Sequence, residues 1–305
     1  MTSNKIPTIT AEMVKMLRER TGAAMMACKE ALTQTQGDLE TAIDVLRKAG
    51  EIKAAKRAGK IAAEGKISIV ADSANQRAFM LEMNCETDFV ARDSHFRDFI
   101  QKVSVCGLAE RVHETEPLLA CTLDKNSATT IEQARLALVS QLGENIQLRR
   151  VAFLESTGIV GTYCHGDRIG VLLALDQKHP ELAKHLAMHV AASHPLAVTP
   201  EGVPAAWIAK ERDIFLAQAK ESGKPEVVIR KMVEGRVNKF LNEVSLVNQP
   251  FIKDPNQTVA EVLKSHKAQV ITFIRFELGE GIEKQSHHFA KEVEAQLRGN
   301  SQGNR

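Results

Sequence analysis

One order of predicted elements occurs twice in this chain, and that repetition constrains the fold more than any single motif. Residues 66–108 predict a strand, a turn, a second strand and a helix. Residues 148–194 predict the same order, with the first strand at either 148–154 or 159–163 and the second at 169–175. Strands joined by short turns pair antiparallel, and each pair is followed by a helix that can cover it. The chain is therefore expected to be an α+β protein with a two-unit core of antiparallel sheets.

Helical patterns surround these two regions. Residues 8–50 predict three short helices with a small core of their own, and Gly50 is expected to end the third. Two further helices, at about 205–221 and 226–244, predict an antiparallel hairpin. A strand at 270–278 is expected to return to the second sheet, so the hairpin is an insertion within the second unit.

These patterns divide the chain into five parts. They are a three-helix N-terminal domain with a basic linker (1–58), a first core unit (59–145), a second core unit (146–194 and 245–278), an inserted helical hairpin or coiled coil (195–244), and a C-terminal helical module with a tail (279–305). The last helix, 282–297, has one apolar stripe, which requires either the protein's own core or a partner to cover it.

The composition argues against several classes of protein. Lys and Arg number 40 against 38 Asp and Glu, and a net charge of +2 is too balanced for a protein that mainly coats nucleic acid. The five cysteines form no C-x-x-C pair, which favours reduced thiols and a cytoplasmic location over disulfides or a zinc site. The N-terminal residues contain no apolar segment typical of a signal peptide, and no apolar run is long enough to span a membrane.

The stretch 85–91, with sequence CETDFVA, lies between a predicted strand and a predicted helix. Thr87 or Asp88 can cap that helix, and Phe89 would then pack in the core, which is the commoner arrangement for such chemistry. Alternatively, an acidic and aromatic pair exposed on a rigid corner can enter the cleft of another protein. The local sequence leaves both arrangements open.

His185 and His189 are four residues apart, which is the spacing of two metal ligands on one helical face. Leu182, Leu186 and Val190 belong to the same stripe, so both histidines are predicted to face the core. A metal-dependent hydrolase remains the alternative, but a catalytic zinc needs a third ligand. We therefore predict no catalytic residue, no metal and no cofactor.

Residues 51–66 are rich in Ala and Lys and predict a solvated helical linker. A basic RNA-binding surface running from Lys53 to Lys66 is the alternative. No aromatic residue that could stack on bases lies between Glu51 and Ala78, so no direct contact with nucleic acid is expected.

Two longer stretches of the sequence are distinctive: 17–29 (LRERTGAAMMACK) and 82–90 (EMNCETDFV). They resemble the two signatures of bacterial translation elongation factor Ts, the family of guanine-nucleotide exchange factors for elongation factor Tu. The helix around 185–192, the stretch 279–284 and the two-helix insertion are also similar, so the resemblance covers about 8–297. The tail beyond Leu297 has no clear counterpart.

The resemblance implies a role for the corner. Thr87, Asp88, Phe89 and Val90 match the family's segment that enters the GTPase domain of elongation factor Tu and helps to displace Mg²⁺. The resemblance therefore favours an exposed Phe89 over a buried one. It also implies an exchange factor that carries out no covalent chemistry.

Further contacts are implied elsewhere. Arg18, Met25 and Met26 match positions where the N-terminal domain touches the same GTPase domain, and His165 matches a contact to another domain of elongation factor Tu. The helix at 282–297 resembles a module that reaches back to the GTPase domain. The hairpin resembles the family's dimerisation or coiled-coil arm, so a homodimer is a further expectation.

Overall fold

Two three-stranded antiparallel sheets form the centre of the computed structural model, which describes residues 9–123 and 128–283. The strands are β1 (Glu64–Ala71), β2 (Arg77–Cys85), β3 (Gln147–Glu155), β4 (Ile159–His165), β5 (Ile169–Leu175), β6 (Pro250–Phe251), β7 (Asp254–Thr258) and β8 (Val270–Glu277). The first sheet has the order β1-β2-β3, the second has the order β4-β5-β8, and β6 and β7 form a small separate pair. The prediction of an α+β protein with antiparallel sheets is confirmed.

Helices cover the outer faces of the sheets and also form the N-terminal domain and the hairpin. Within the described ranges they are α1 (Ala11–Thr21), α2 (Met25–Gln34), α3 (Leu39–Arg57), α4 (Asp88–Arg92), α5 (Ser94–Ala109), α6 (Thr115–Ala120), α7 (Ile131–Leu142), α8 (Pro180–Ser193), α9 (Ala205–Lys220), α10 (Glu226–Val244) and α11 (Val259–Ser265). The predicted helix at 282–297 lies almost entirely outside the described residues.

Side-chain alternation along the strands produces four layers. On β2, Phe79 and Leu81 pack in a core with α5 and α7, whereas Met80 faces the other way and packs against the second sheet. On β5, Leu172 meets the first sheet and Leu173 packs against α8. The order is therefore helix, sheet, sheet, helix, and both sheets have the same topology of two strands, a helical connection and a third strand.

The predicted boundary between the core units, at 145/146, differs from the observed pairing. β3 pairs with β2, for example Phe79 with Phe153, so residues 147–155 belong to the first sheet. The second sheet begins with β4, which matches the alternative strand at 159–163. Periodicity identified both strands, but only pairing between distant segments decides which sheet each one joins.

Gly50 does not end the third helix, contrary to the prediction. α3 continues to Arg57, and Gly50 is buried where a Cβ atom would lie 3.5 Å from the Cβ of Ser140 on α7. α3 packs on α7 at this position, and this tertiary contact outweighs the tendency of glycine to end a helix. One continuous helix therefore runs from the N-terminal domain to the core.

The hairpin lies between two elements of the second unit. α9 and α10 pack on each other around Ile229, Val233 and Val237, and β8 then pairs with β5 as predicted. Among the described residues, no helix combines the length and apolar character needed to cross a membrane.

Candidate protein-binding corner

The segment between β2 and α5 is a corner fixed by helix caps at both ends. Thr87 caps α4, because its Oγ1 accepts a hydrogen bond from the backbone N–H of Val90 at 3.4 Å. Asp93 ends α4 and caps α5, with its carboxylate accepting from the N–H of His95 at 2.8 Å and of Phe96 at 3.3 Å. The helix expected after the corner is α5, and Asp93 rather than Thr87 or Asp88 caps it; Thr87 caps the additional short helix α4.

Neighbouring side chains of α4 point in opposite directions. Val90 is only 9% exposed and packs in the core of the first unit, whereas Phe89 is 79% exposed. Asp88 is also exposed and forms a surface ion pair with Arg92 at 2.9 Å. The arrangement in which Phe89 packs in the core is therefore wrong, and the corner presents an aromatic ring beside a carboxylate.

Glu144, in the loop after α7, binds the backbone of this corner. Its Oε2 accepts from the N–H of Glu86 at 3.1 Å and of Thr87 at 3.0 Å, and its Oε1 accepts from the Thr87 hydroxyl at 2.6 Å. One carboxylate thus satisfies three donors where the strand becomes a helix.

Glu86 forms the opposite half of this contact. Its Oε1 accepts from the N–H of Asn145 at 2.7 Å, and its Oε2 lies 3.4 Å from Nη1 of Arg57 at the end of α3. The side-chain amide of Asn145 in turn donates to the Lys60 carbonyl at 2.8 Å. No pattern in the sequence indicates a role for Glu144 or Asn145, and the one local signal is Gly143, which ends α7.

Cys85, at the end of β2, contributes a hydrogen bond rather than a reactive thiol. Burial, together with the carboxylates of Glu144 and Glu64, raises the pKa of Cys85 to about 12. The thiol therefore stays protonated and donates to the Thr87 carbonyl at 3.1 Å.

The other predicted contact residues are exposed but lie on separate elements. Arg18 is on α1, Met25 and Met26 begin α2 with 56% and 64% exposure, and His165 ends β4. The hydroxyl of Tyr163 lies 3.0 Å from Nδ1 of His165. The ion pair of Arg57 with Glu86 connects the end of α3 to the corner, so the N-terminal domain and the corner are joined by one helix.

The histidine pair is divided between two environments. His189 is buried, accepts at Nδ1 from the N–H of Ile252 at 3.2 Å, and has Nε2 2.9 Å from Oε1 of Gln249. Burial lowers the pKa of His189, which favours the neutral ring that this bonding requires. His185 is only half-buried, so the prediction that both face the core holds for His189 alone. In 9–123 and 128–283, no group of three or more His, Cys, Asp or Glu residues is arranged to hold a metal.

The basic segment is solvated at its start. Lys53, Lys56 and Lys60 are exposed, as the linker prediction requires. Lys66 instead lies on β1, where its Nζ is 3.0 Å from the carboxylate of Asp167.

The chain is similar to known proteins over most of its length. The family model described as elongation factor TS matches residues 86–280. Proteins named elongation factor Ts are 59% identical in Coxiella burnetii (strain RSA 493 / Nine Mile phase I), over 96% of this chain and 99% of the relative, and 52% identical in Legionella pneumophila (strain Paris), over 95% and 99%. A third, from Thioalkalivibrio sulfidiphilus (strain HL-EbGR7), is 49% identical over 96% and 99%.

The matching family model and these relatives define a translation elongation factor with the fold described above. More narrowly, the chain belongs to the elongation factor Ts family.

Proposed function

We propose that this protein is a guanine-nucleotide exchange factor that binds the GDP form of elongation factor Tu in the cytoplasm and promotes replacement of GDP by GTP. One observation carries the proposal: Phe89 is 79% exposed beside Asp88 at the start of α4, directly after a turn whose backbone is fixed by Glu144. A large exposed aromatic side chain on a rigid support is typical of residues that dominate protein interfaces.

The proposed mechanism is mechanical and electrostatic. A GTPase holds GDP through backbone amides around the phosphates and through Mg²⁺, which neutralises their charge. The Phe89 ring inserts beside the elements that support these groups, and their displacement breaks the Mg²⁺ coordination. The factor and the nucleotide then weaken each other's binding, and this coupling is reciprocal, so GTP entry releases the factor. No covalent bond is made or broken.

The surrounding contacts extend the same interface. We place Arg18, Met25 and Met26 against the GTPase domain and His165 against a second domain of the partner. Met25 and Met26 suit this task because an exposed, flexible thioether side chain adapts to an irregular partner surface.

Release of a fluorescent GDP analogue from purified elongation factor Tu tests the proposal. The analogue is chased with excess unlabelled GDP in a stopped-flow instrument, with and without this protein. We expect faster release that rises with factor concentration and saturates, and we expect substoichiometric factor to act on many partner molecules. An unchanged release rate at all concentrations would remove the exchange function.

We also propose that the hairpin mediates a homodimer, because apolar side chains remain exposed on it after α9 and α10 have packed. Trp207 is 47% exposed and Val227 is 68% exposed, and both would be covered by a second copy. Sedimentation velocity should show a dimer whose fraction rises with protein concentration, and Val227→Lys should lower that fraction at each concentration. The matched change Ile271→Lys on β8, where Ile271 is 56% exposed, should leave the dimer intact. A monomer at all concentrations contradicts this role.

A further inference from the structure

The loop after α7 is held in a fixed orientation next to the corner. Gly143 adopts a left-handed conformation with φ of 75° and donates its N–H to the Val139 carbonyl at 2.9 Å, which ends α7. The buried Asn145, two residues later, attaches the loop to the segment that follows α3 through the Lys60 carbonyl. Glu144 lies between these two anchors, so its position depends on elements outside the corner.

The carboxylate of Glu144 contacts the corner with both oxygens. Oε2 accepts the two backbone N–H groups of Glu86 and Thr87, while Oε1 accepts the Thr87 hydroxyl. The same hydroxyl oxygen accepts from the N–H of Val90 and caps α4. Glu144 therefore fixes the peptide planes before α4 and also the side chain that starts α4.

Glu144 contributes little to the apolar core. It is half-buried, in contrast to Val90, which anchors α4 in the core of the first unit. The second contact across this interface, from the N–H of Asn145 to Glu86 at 2.7 Å, does not involve the Glu144 side chain. Loss of the Glu144 carboxylate is therefore expected to loosen the corner while leaving the sheets and helices folded.

We infer that Glu144 is a positioning residue for nucleotide exchange: through Thr87 it holds the Phe89 ring in the orientation in which it enters the partner. This inference rests on the proposed function. A ring on a loosened corner must lose more conformational freedom when it inserts, so the insertion step becomes less favourable although the ring is still present.

The substitution Glu144→Gln tests the inference, because it keeps the side-chain shape but removes the negative charge and leaves one acceptor oxygen where the carboxylate has two. We expect the maximal rate of GDP release at saturating factor to fall about ten-fold, since hydrogen bonds to charged groups are among the stronger ones. The concentration for half-maximal effect should change less. The matched control is Asp98→Asn, an exposed carboxylate on α5, which should retain wild-type rates.

Thr87→Val supplies a second variant that removes the hydroxyl bound by Glu144. If the two residues act through one contact, the double variant should lose little more than either single variant. Amide hydrogen exchange of the free protein adds a readout that needs no partner: the N–H groups of Glu86 and Thr87 should exchange faster in Glu144→Gln, while those of β2 stay protected.

The outcomes separate the inference from the proposed function. If the wild-type protein fails to accelerate GDP release, the exchange function itself is wrong. If the wild type accelerates release and folded Glu144→Gln does so at the same maximal rate, the positioning role alone is wrong. Additive losses in the double variant overturn it as well. If Glu144→Gln lowers the melting temperature, Thr87→Val takes its place, and an unchanged maximal rate for folded Thr87→Val overturns the inference.

Discussion

Replacement of Phe89 by alanine is expected to reduce the maximal rate of GDP release from elongation factor Tu by roughly 30-fold or more, because loss of a central aromatic anchor typically costs about 2 kcal/mol or more. The protein should remain folded. Phe89 is 79% exposed, and truncation of an exposed side chain usually changes the free energy of unfolding by no more than about 0.5 kcal/mol. The loss would therefore report on the partner complex rather than on misfolding.

The measurement must separate binding from release. Stopped-flow rates over a range of factor concentrations give both the maximal release rate and the half-saturating concentration. Phe89→Ala should lower the maximal release rate much more than it raises the half-saturating concentration. The control is Val105→Ala, which shortens an apolar side chain of α5 that is 53% exposed and should behave as wild type. Equal losses of affinity and of maximal release rate would mean that Phe89 contributes to binding of the partner but not specifically to GDP release. A Phe89→Ala variant with full activity would show that the corner is not involved.

Local sequence patterns predicted most of the elements because the responsible interactions are local. The antiparallel strands of both units and the hairpin helices follow from side-chain periodicity. Helix capping is equally local: in the structure, Thr130 forms a capping box with Gln133 within four consecutive residues. Information of this kind is available to a reader of a single sequence.

Long-range contacts explain what could not be predicted. β3 joins the first sheet because it pairs with β2, and α3 continues through Gly50 because it packs on α7. The corner depends on Glu144, which follows a helix end and has no pattern that connects it to Thr87. Local chemistry also favoured a buried Phe89, and only the family resemblance indicated exposure. The candidate site is thus the part of the molecule where single-sequence reasoning was weakest.

The largest expected effect on stability comes from Glu82, a carboxylate in the middle of the protein. Its side chain is 0% exposed, and it accepts from Nη1 of Arg149 at 2.9 Å, Nε of Arg150 at 2.6 Å and the N–H of Gly279 at 2.9 Å. Both arginines also bond to the segment after β8, Arg149 to the Glu280 carbonyl and Arg150 to the Glu280 carboxylate. Glu82 therefore connects β2 and β3 of the first sheet to the chain that leaves the second.

Protonation of this group should weaken the protein. Burial alone would raise the pKa of Glu82, but the hydrogen bonds from Gly279, Arg149 and Arg150 outweigh it and hold the pKa below the ordinary value of 4.5. A carboxyl group with a lowered folded-state pKa stabilises the fold above its unfolded pKa, and this contribution is lost as the pH falls through the folded value. Stability from Glu82 should thus be complete above pH 4.5 and decline only below it.

Glu82→Ala is expected to lower the free energy of unfolding by about 3–5 kcal/mol, because it leaves two guanidinium groups and a backbone N–H without their buried acceptor. Urea unfolding followed by far-UV circular dichroism measures the loss of secondary structure in the whole protein, whereas fluorescence of the single Trp207 would report on the hairpin alone. The control is Glu155→Ala at the end of β3, whose exposed carboxylate lies 4.0 Å from Arg111 and should cost less than about 1 kcal/mol. If the two variants lost the same free energy of unfolding, the buried carboxylate would not hold the sheets together. If the loss of stability in Glu82→Ala stayed the same well below pH 4.5, the charge of Glu82 would not be responsible for it.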